Sequence, residues 1–316
     1  MNINENIFHR YEQNPLIAPR DIKGAYGTFN CGQTMYNGKT ILLLPVQEMG
    51  NQVPSIHLAE SDDGIHFNVR EEPFIVRSKK FYDLDNWPID PRVSYVPEDD
   101  MYYIMRPMNS SWGCITLLMR TKDFNDVEEM GIVALPNNRV PCLFQGKING
   151  RYARLDRPYS GVGSSTGGNI WISYSDDLLH WGDYEPFMRP YTNWSADKIG
   201  PTPPIKTKYG WLEIYHGVKC LRYSLGAVLL DLDNPGRIIG RMNSPILTPN
   251  EPYEYMGHSY NGTVFACGAV VEEEKDEVRL YYGAADCAIG LATAKLSELA
   301  EAIMYEEKNC ENWIWS

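Results

Sequence analysis

The sequence has no hydrophobic run long enough to cross a membrane and no secretory signal at its start. None of its apolar stretches approaches the ~20 residues that a spanning helix requires. Residues 1–15, MNINENIFHRYEQNP, lack the charged and apolar regions of a signal peptide. We therefore expect a cytoplasmic protein without a membrane partner.

Cysteine and histidine patterns typical of disulfide or metal sites are also missing. The seven cysteines are odd in number, lie far apart and include no CxxC pair, and the six histidines include no HxxxH pair. We expect reduced, mostly buried thiols, no metal site and no bound cofactor. The glycine-rich segment 161–168 lacks the GK[ST] ending of a phosphate-binding loop, which argues against nucleotide binding.

Positive charge is scarce relative to negative charge. Lys and Arg number 29 against 41 Asp and Glu, so the net charge is −12 and the isoelectric point is near 5.0. Nucleic-acid binding needs a basic face, and this balance argues against a nucleic-acid partner. A hydrophobic content of 43% indicates a globular chain with a sizeable core.

Strand-forming segments recur along the chain. Five runs rich in β-branched and aromatic residues follow turn residues, and their centres recur at intervals of about 50 to 70 residues. The runs are 39–46, 101–108, 151–158, 210–217 and 278–286. Four of them are followed by similar turn segments, which begin at Ser61, Thr121, Ser175 and Leu230 and which we expect to enter the outer strand of each repeat.

The repeats predict an all-β fold, a five-bladed β-propeller, because five units of several strands can close a ring and hide their edges. Only 296–308 has helical spacing, with Leu296, Leu299 and Ile303 on one face, and we expect a C-terminal helix there. No linker divides the chain, so we expect residues 1–316 to form one catalytic domain.

Polar residues occur where four of these runs end. Arg106, Arg157, His216 and Asp286 lie at or just beyond those ends. If each run is the innermost strand of a blade, the four side chains converge on the axis, and charges grouped there are best explained by a polar ligand pocket.

Several motifs resemble glycoside hydrolase family 130 over nearly the whole chain. They are DPRV at 90–93, KIG at 198–200, PPIKT at 203–207, YHGV at 215–218 and GAAD at 283–286. The resemblance implies a five-bladed propeller, chiefly found among inverting β-mannoside phosphorylases with a smaller group of mannosidases. Such a phosphorylase is a hexosyltransferase that uses inorganic phosphate as co-substrate and releases α-D-mannose 1-phosphate.

The resemblance also implies roles for individual residues. Asp90 corresponds to the general acid, which is expected to act through a sugar hydroxyl. Because phosphate is itself the nucleophile, a second catalytic carboxylate is not required. The implied phosphate-binding residues are Arg139, Arg157, Lys198 and His216, and the implied sugar contacts are Asn30 and Asp286. Aromatic stacking on the sugar is assigned to Trp87, Tyr103 or Trp194, with Tyr103 included among the substrate-binding residues.

Three questions stay open from the sequence. The β-1,4 linkage is favoured, but PVQEMGN at 45–51 and Val140 depart from the family pattern where sugar and acceptor should lie, so a β-1,2 linkage stays open. A β-mannosidase and a non-catalytic saccharide-binding propeller are the alternative functions. The partners expected are a β-mannoside and phosphate, and a homo-oligomer is left open.

Overall fold

The computed structural model describes residues 7–159, 168–190, 194–259 and 261–309. Within these ranges the chain forms 23 strands, four short 3-10 helices and one α-helix. The strands assemble into five antiparallel sheets, each of which is one blade. The five-bladed propeller and the C-terminal helix are confirmed.

The strands follow one another through the blades in chain order, except that β1 (His9–Arg10) belongs to the fifth blade. The first blade contains β2 (Ala25–Thr28), β3 (Gly32–Tyr36), β4 (Lys39–Glu48), β5 (Ser55–Ser61) and β6 (Asn68–Val69). The second contains β7 (Arg92–Val96), β8 (Met101–Ser110), β9 (Gly113–Thr121) and β10 (Glu128–Ala134). The third contains β11 (Cys142–Leu143), β12 (Tyr152–Asp156), β13 (Ile170–Ser175) and β14 (Gly182–Met188).

The fourth and fifth blades complete the ring and carry the helix. The fourth contains β15 (Lys198–Gly200), β16 (Ile205–Thr207), β17 (Gly210–Lys219), β18 (Arg222–Leu230) and β19 (Ile238–Arg241). The fifth contains β20 (Val264–Phe265), β21 (Val270–Glu272), β22 (Glu277–Ala284), β23 (Ala288–Lys295) and β1, and α1 (Leu296–Asn309) follows it.

The innermost strands are not the ones that the sequence repeats indicate. Blades meet through β3, β7, β11 and β21, whereas the five repeated runs form β4, β8, β12, β17 and β22, which are second in their sheets. A second strand is paired on both edges and buried along most of its length, so its apolar pattern is strong. The first strands are short, and three are broken into two pieces that share one partner: β2 with β3, β15 with β16, and β20 with β21.

The repeated turn segments join the third strand of a blade to the fourth, as predicted. In two of them an Asp side chain accepts backbone N–H groups: Oδ1 of Asp63 from Ile65 and His66, and Oδ1 of Asp177 from Leu179 and His180. An Asx turn of this kind fixes the reversal without a long loop.

The N-terminal strand closes the ring. β1 pairs with β23, and the Arg10 guanidinium contacts both oxygens of the fully buried Glu254 at 2.8 and 3.0 Å. Tyr282 donates a further hydrogen bond of 2.8 Å to Glu254. The fifth blade thus combines strands from both ends of the chain, which locks the propeller.

Helix α1 packs against the fourth and fifth blades. Leu296, Leu299 and Ile303 are completely buried in the cluster that joins these blades, which confirms the predicted apolar face. Of the six cysteines in the described ranges, Cys31, Cys142 and Cys267 are buried, and none forms a disulfide. No helix in the part of the chain that the structure describes is long and apolar enough to cross a membrane.

Candidate active site

A cavity of about 350 Å³ opens on the propeller axis and receives side chains from all five blades. Seven of the eight site residues predicted from the sequence line it, and Tyr103 is the exception. The lining residues are Phe29, Asn30, Trp87, Ile89, Asp90, Arg139, Val140, Arg157, Lys198, His216, Tyr223, His258, Thr263, Phe265 and Asp286.

Breaks in the strands place the polar side chains. Asn30 lies in the gap between β2 and β3, Asp90 precedes β7 and Arg139 precedes β11. Asp90 and Asp286 have φ values of 51° and 53°, in the left-handed region that non-glycine residues rarely adopt. Strained backbone of this kind persists where the surrounding structure fixes it, commonly at functional sites.

Asp90 has a hydrogen-bond partner on each carboxylate oxygen. Nδ2 of Asn30 donates to Oδ1 at 2.8 Å, and Nη2 of Arg139 donates to Oδ2 at 3.3 Å. Asn30 occupies the space that a side chain at position 283 would need, so Gly283 is required there. Asp286 lies beside the same group, and burial together with the nearby Asp90 raises the pKa of Asp286 to about 6.

One wall of the cavity, here called the cationic wall, carries Arg139, Arg157 and Lys198, whose positive charge the described carboxylates do not balance. Burial and the neighbouring Arg139 and Arg92 lower the pKa of Arg157 to about 10. Among the described residues, no carboxylate forms an ion pair with Arg157 or Lys198. Because an uncompensated buried cation is costly, this wall is suited to an anionic ligand.

His216 lies beside the cationic residues and is itself a neutral imidazole. It is buried, and burial together with Arg157 and Lys198 lowers its pKa well below the ordinary value. Its ring stacks on Phe265 with centroids 4.4 Å apart, and its Nδ1 has no hydrogen-bond partner within the described ranges. Gly200, its cross-strand neighbour, leaves the space that the imidazole fills.

Arg92 lies fully buried beneath the cavity and links two blades. Its Nη1 donates to the Asp90 carbonyl oxygen at 2.8 Å, and its Nε lies 3.4 Å from the Pro201 carbonyl oxygen. Next to Pro201, the N–H of Thr202 donates to Oε1 of the buried Glu213 at 2.9 Å. Burial raises the pKa of Glu213 well above the ordinary value and so favours the neutral form of this carboxyl.

Sequence reasoning missed several residues that line the cavity or lie beneath it. Arg92 belongs to the DPRV motif, whose Asp alone was given a role, and Tyr223 and Phe265 are aromatic residues without a distinguishing pattern. His258 lies in the loop before β20, and no signal in the sequence separates it from a surface histidine. Of the three aromatic candidates, Trp87 lines the cavity.

Three side chains that the sequence offered as candidates for the axis or the sugar site lie elsewhere. Tyr103, on β8, donates its hydroxyl to Oδ2 of Asp99 at 2.9 Å and packs against Tyr152 of the third blade. Tyr103 therefore faces the neighbouring blade, and it is absent from the cavity lining. Trp194 stacks on Tyr215 and donates to the Asn243 carbonyl oxygen at 2.6 Å.

Arg106 is the third misplaced side chain. Both its terminal nitrogens contact the Asp85 carboxylate, at 2.7 and 2.6 Å, and neither side chain is exposed. It forms a structural ion pair away from the cavity.

The arrangement combines an acid, a cationic wall and aromatic surfaces in one pocket. It can hold an anion at the cationic wall while the carboxyl of Asp90 transfers a proton to a polar ligand bound between them. Over the described ranges, no group of three or more His, Cys, Asp or Glu side chains could hold a metal ion.

Comparisons with known proteins show the family and the fold. The sequence model of glycoside hydrolase family 130, described as beta-1,4-mannooligosaccharide phosphorylase, matches residues 5–306. The beta-1,2-mannobiose phosphorylase of Listeria innocua is 33% identical over 95% of this chain and 99% of its own. Its structure with beta-1,2-mannobiose superposes with a TM-score of 0.84 at 31% identity, covering 97% of this chain and 100% of that one.

Two further relatives act on different mannosides. The 1,2-beta-oligomannan phosphorylase of Thermoanaerobacter sp. is 36% identical over 81% of this chain and 83% of its own. The beta-1,4-mannooligosaccharide phosphorylase of Ruminococcus albus is 30% identical over 95% of this chain and 91% of its own.

Proposed function

The chain belongs to glycoside hydrolase family 130, and we propose that it is an inverting β-mannoside phosphorylase that transfers a mannosyl group from a β-mannoside to inorganic phosphate. The observation that carries this proposal is the cationic wall. Arg139, Arg157 and Lys198 face the cavity with more positive charge than the described carboxylates balance. A phosphate dianion supplies the missing negative charge and accepts their hydrogen bonds.

The proposed reaction needs one protein acid. Asp90 gives a proton, through a sugar hydroxyl, to the departing glycosidic oxygen, and the bond between that oxygen and the mannosyl anomeric carbon breaks. A phosphate oxygen attacks the same carbon from the opposite face, so that the β-mannoside becomes α-D-mannose 1-phosphate. The second carboxylate, Asp286, lies beside Asn30 and Asp90 and we assign it to sugar hydroxyls.

We further propose a β-1,2 linkage for the substrate. The support is that relatives named for β-1,2 substrates are 33% and 36% identical to this chain, against 30% for the β-1,4 enzyme. Synthesis from α-mannose 1-phosphate with mannose as acceptor, followed by assignment of the linkage by NMR, tests this choice. A β-1,4 product would overturn it.

Dependence on phosphate tests the reaction type. Cleavage of a β-mannoside should rise from near zero as phosphate is added, then saturate, with mannose 1-phosphate as the product. Release of free mannose at full rate without phosphate would indicate the alternative, a β-mannosidase. Saccharide binding without turnover would indicate a binding module. The cytoplasmic location, the absence of a cofactor and the single catalytic domain over 1–316 stay predictions.

A further inference from the structure

Four aromatic rings form a continuous row that leads out of the cavity. The centroids of Trp87 and Phe29 are 5.8 Å apart, those of Phe29 and His258 are also 5.8 Å apart, and those of His258 and Tyr26 are 5.2 Å apart. The first three rings line the cavity, whereas Tyr26 lies outside it and is 55% exposed. The row therefore connects the sugar pocket to the surface.

The strand backbone holds the outer rings of this row in place. Tyr26 and Gly27 are consecutive in β2, and a Cβ at position 27 would lie only 3.0 Å from Nε2 of His258. The absence of a side chain at Gly27 lets the imidazole lie close to the strand and stack on Phe29, with an angle of 22° between the rings. His258 thereby bridges the buried Phe29 and the exposed Tyr26.

The row is chemically distinct from the cationic wall. Within the described ranges, no Lys or Arg side chain stacks on Tyr26, Phe29 or Trp87, whereas Lys198 lies over the ring of Tyr223 on the cationic side. Uncharged aromatic faces suit the apolar faces of sugar rings, whose hydroxyls can still reach water. An anion is therefore expected at one side of the cavity and a saccharide chain along the other.

We propose that Tyr26 and His258 form a platform, an aromatic surface on which a sugar ring of an oligosaccharide acceptor stacks. The sugar that stacks there is the second one of the acceptor, where the first is the sugar at the bond that is made or broken. The substrates would then be oligomannosides of three or more units as well as the disaccharide. This inference rests on the proposed phosphorylase activity, which places the transferred mannosyl group between Asp90 and the cationic wall.

The test is synthesis from α-mannose 1-phosphate with mannose, mannobiose or mannotriose as acceptor. We expect Tyr26→Ala to raise the acceptor KM about three- to tenfold for mannobiose and mannotriose, the effect of one lost stacking contact. The KM values for mannose and for mannose 1-phosphate should stay within about twofold, because neither sugar reaches Tyr26. Tyr26→Phe, which keeps the ring, should restore the values for the longer acceptors.

Tyr184→Ala is the matched control, because Tyr184 is also 55% exposed but lies on the outer strand β14. An equal KM change for all three acceptors, or no change for the longer ones, would overturn the platform. Calorimetric titration of mannotriose into the wild type and Tyr26→Ala gives a readout that needs no turnover. An enzyme without synthetic activity would contradict the proposed function, yet weaker mannotriose binding by Tyr26→Ala would still support the platform.

Discussion

The side-chain amide of Asn30 donates a 2.8 Å hydrogen bond to Oδ1 of Asp90. Asn30 comes from the first blade and Asp90 from the segment that enters the second, so the contact crosses a blade boundary at the axis. The other oxygen of Asp90 meets Arg139 of the cationic wall at 3.3 Å. The candidate acid is therefore oriented by groups from two directions, one of which also faces the proposed phosphate.

The first prediction concerns this acid. Asp90→Asn keeps the size of the side chain but removes its proton-donating carboxyl, so kcat should fall by about 10²- to 10⁴-fold while the KM for the mannoside changes little. Steady-state kinetics with saturating phosphate measures both values. Asp183→Asn is the control, because Asp183 has the same φ of 51° but is exposed. Unchanged turnover in Asp90→Asn would assign the acid elsewhere.

The second prediction contrasts two buried arginines. Arg157→Ala removes charge-assisted hydrogen bonds to phosphate, and the phosphate KM should rise about 10- to 100-fold. Its folding stability should stay the same or increase, because Arg157 has no described carboxylate partner. Arg106→Ala leaves the buried Asp85 carboxylate without its charged partner, with the Ser78 N–H still donating to it, and we expect a loss of about 3–5 kcal/mol in the free energy of unfolding.

Phosphate kinetics and urea denaturation on both variants separate the two roles. The folded fraction of Arg106→Ala should keep the wild-type phosphate KM. A raised phosphate KM in Arg106→Ala, or a normal one in Arg157→Ala, would contradict the assignment.

The third prediction is a dependence of stability on pH. The pKa of Asp286 is raised from 3.8 to about 6, so between these values the folded chain keeps a proton that the unfolded chain releases. Its contribution to the free energy of unfolding therefore falls as pH rises through this window and is constant above it. Asp286→Asn lacks the titration. Urea denaturation without phosphate should show the difference between wild type and variant declining from about pH 4 to 6.

The difference between wild type and variant cancels the contributions of titrating groups that both proteins share. One of these is His216, whose lowered pKa makes stability fall as pH falls, opposite to the contribution of Asp286. A difference that stays flat over the window would show that Asp286 titrates normally.

The fold could be predicted from the sequence because the second strand of each blade has a strong apolar pattern. Runs such as 39–46 and 210–217 are long and buried, and their apolar pattern determines the number of blades correctly. The same pattern misidentifies the innermost strands, since pieces such as β11 and β20 have two residues each and leave no periodic signal. Arg106 was placed at the axis for that reason.

The residues of the cavity were predicted from motifs, and residues outside those motifs were missed. Asp90, Arg139 and Lys198 come together because each lies at or just before the start of a short first strand. His258 and Tyr26 could not be predicted, because they approach each other from the loop before β20 and from β2. Only the closed ring brings these distant segments together.

The fourth prediction concerns that closure. Arg10→Ala removes the charged partner of Glu254, whose side chain is 0% exposed and keeps only neutral donors such as the Tyr282 hydroxyl, and should lower the free energy of unfolding by about 3–5 kcal/mol. Denaturant unfolding measures this loss. The control is Arg20→Ala, where the ion pair with Asp21 has a 3.7 Å separation and both side chains are exposed. This control should change stability by less than about 1 kcal/mol. Equal stability of the two variants would show that β1 does not lock the ring.

The fifth prediction concerns the support beneath the cavity. Arg92 donates a hydrogen bond to the carbonyl of Asp90 at 2.8 Å and brings positive charge below the cationic wall. Arg92→Met should lower kcat about tenfold or more by releasing Asp90, and should raise the phosphate KM through the lost charge. Arg92→Lys keeps the charge but not the pair of carbonyl contacts, so its kcat should fall while its phosphate KM stays close to that of the wild type.

Glu213→Gln provides the contrast at the same depth. Because burial favours the neutral form of the Glu213 carboxyl, we expect the amide to replace it without a change of charge and to accept the Thr202 N–H as before. Since the charge is unchanged, the kcat and the phosphate KM of Glu213→Gln should stay within about twofold of the wild-type values. A large change of the phosphate KM in Glu213→Gln would show that Glu213 is ionised in the wild type. Its negative charge would then neutralise Arg92, and the positive charge that we assign to Arg92 beneath the cavity would be absent.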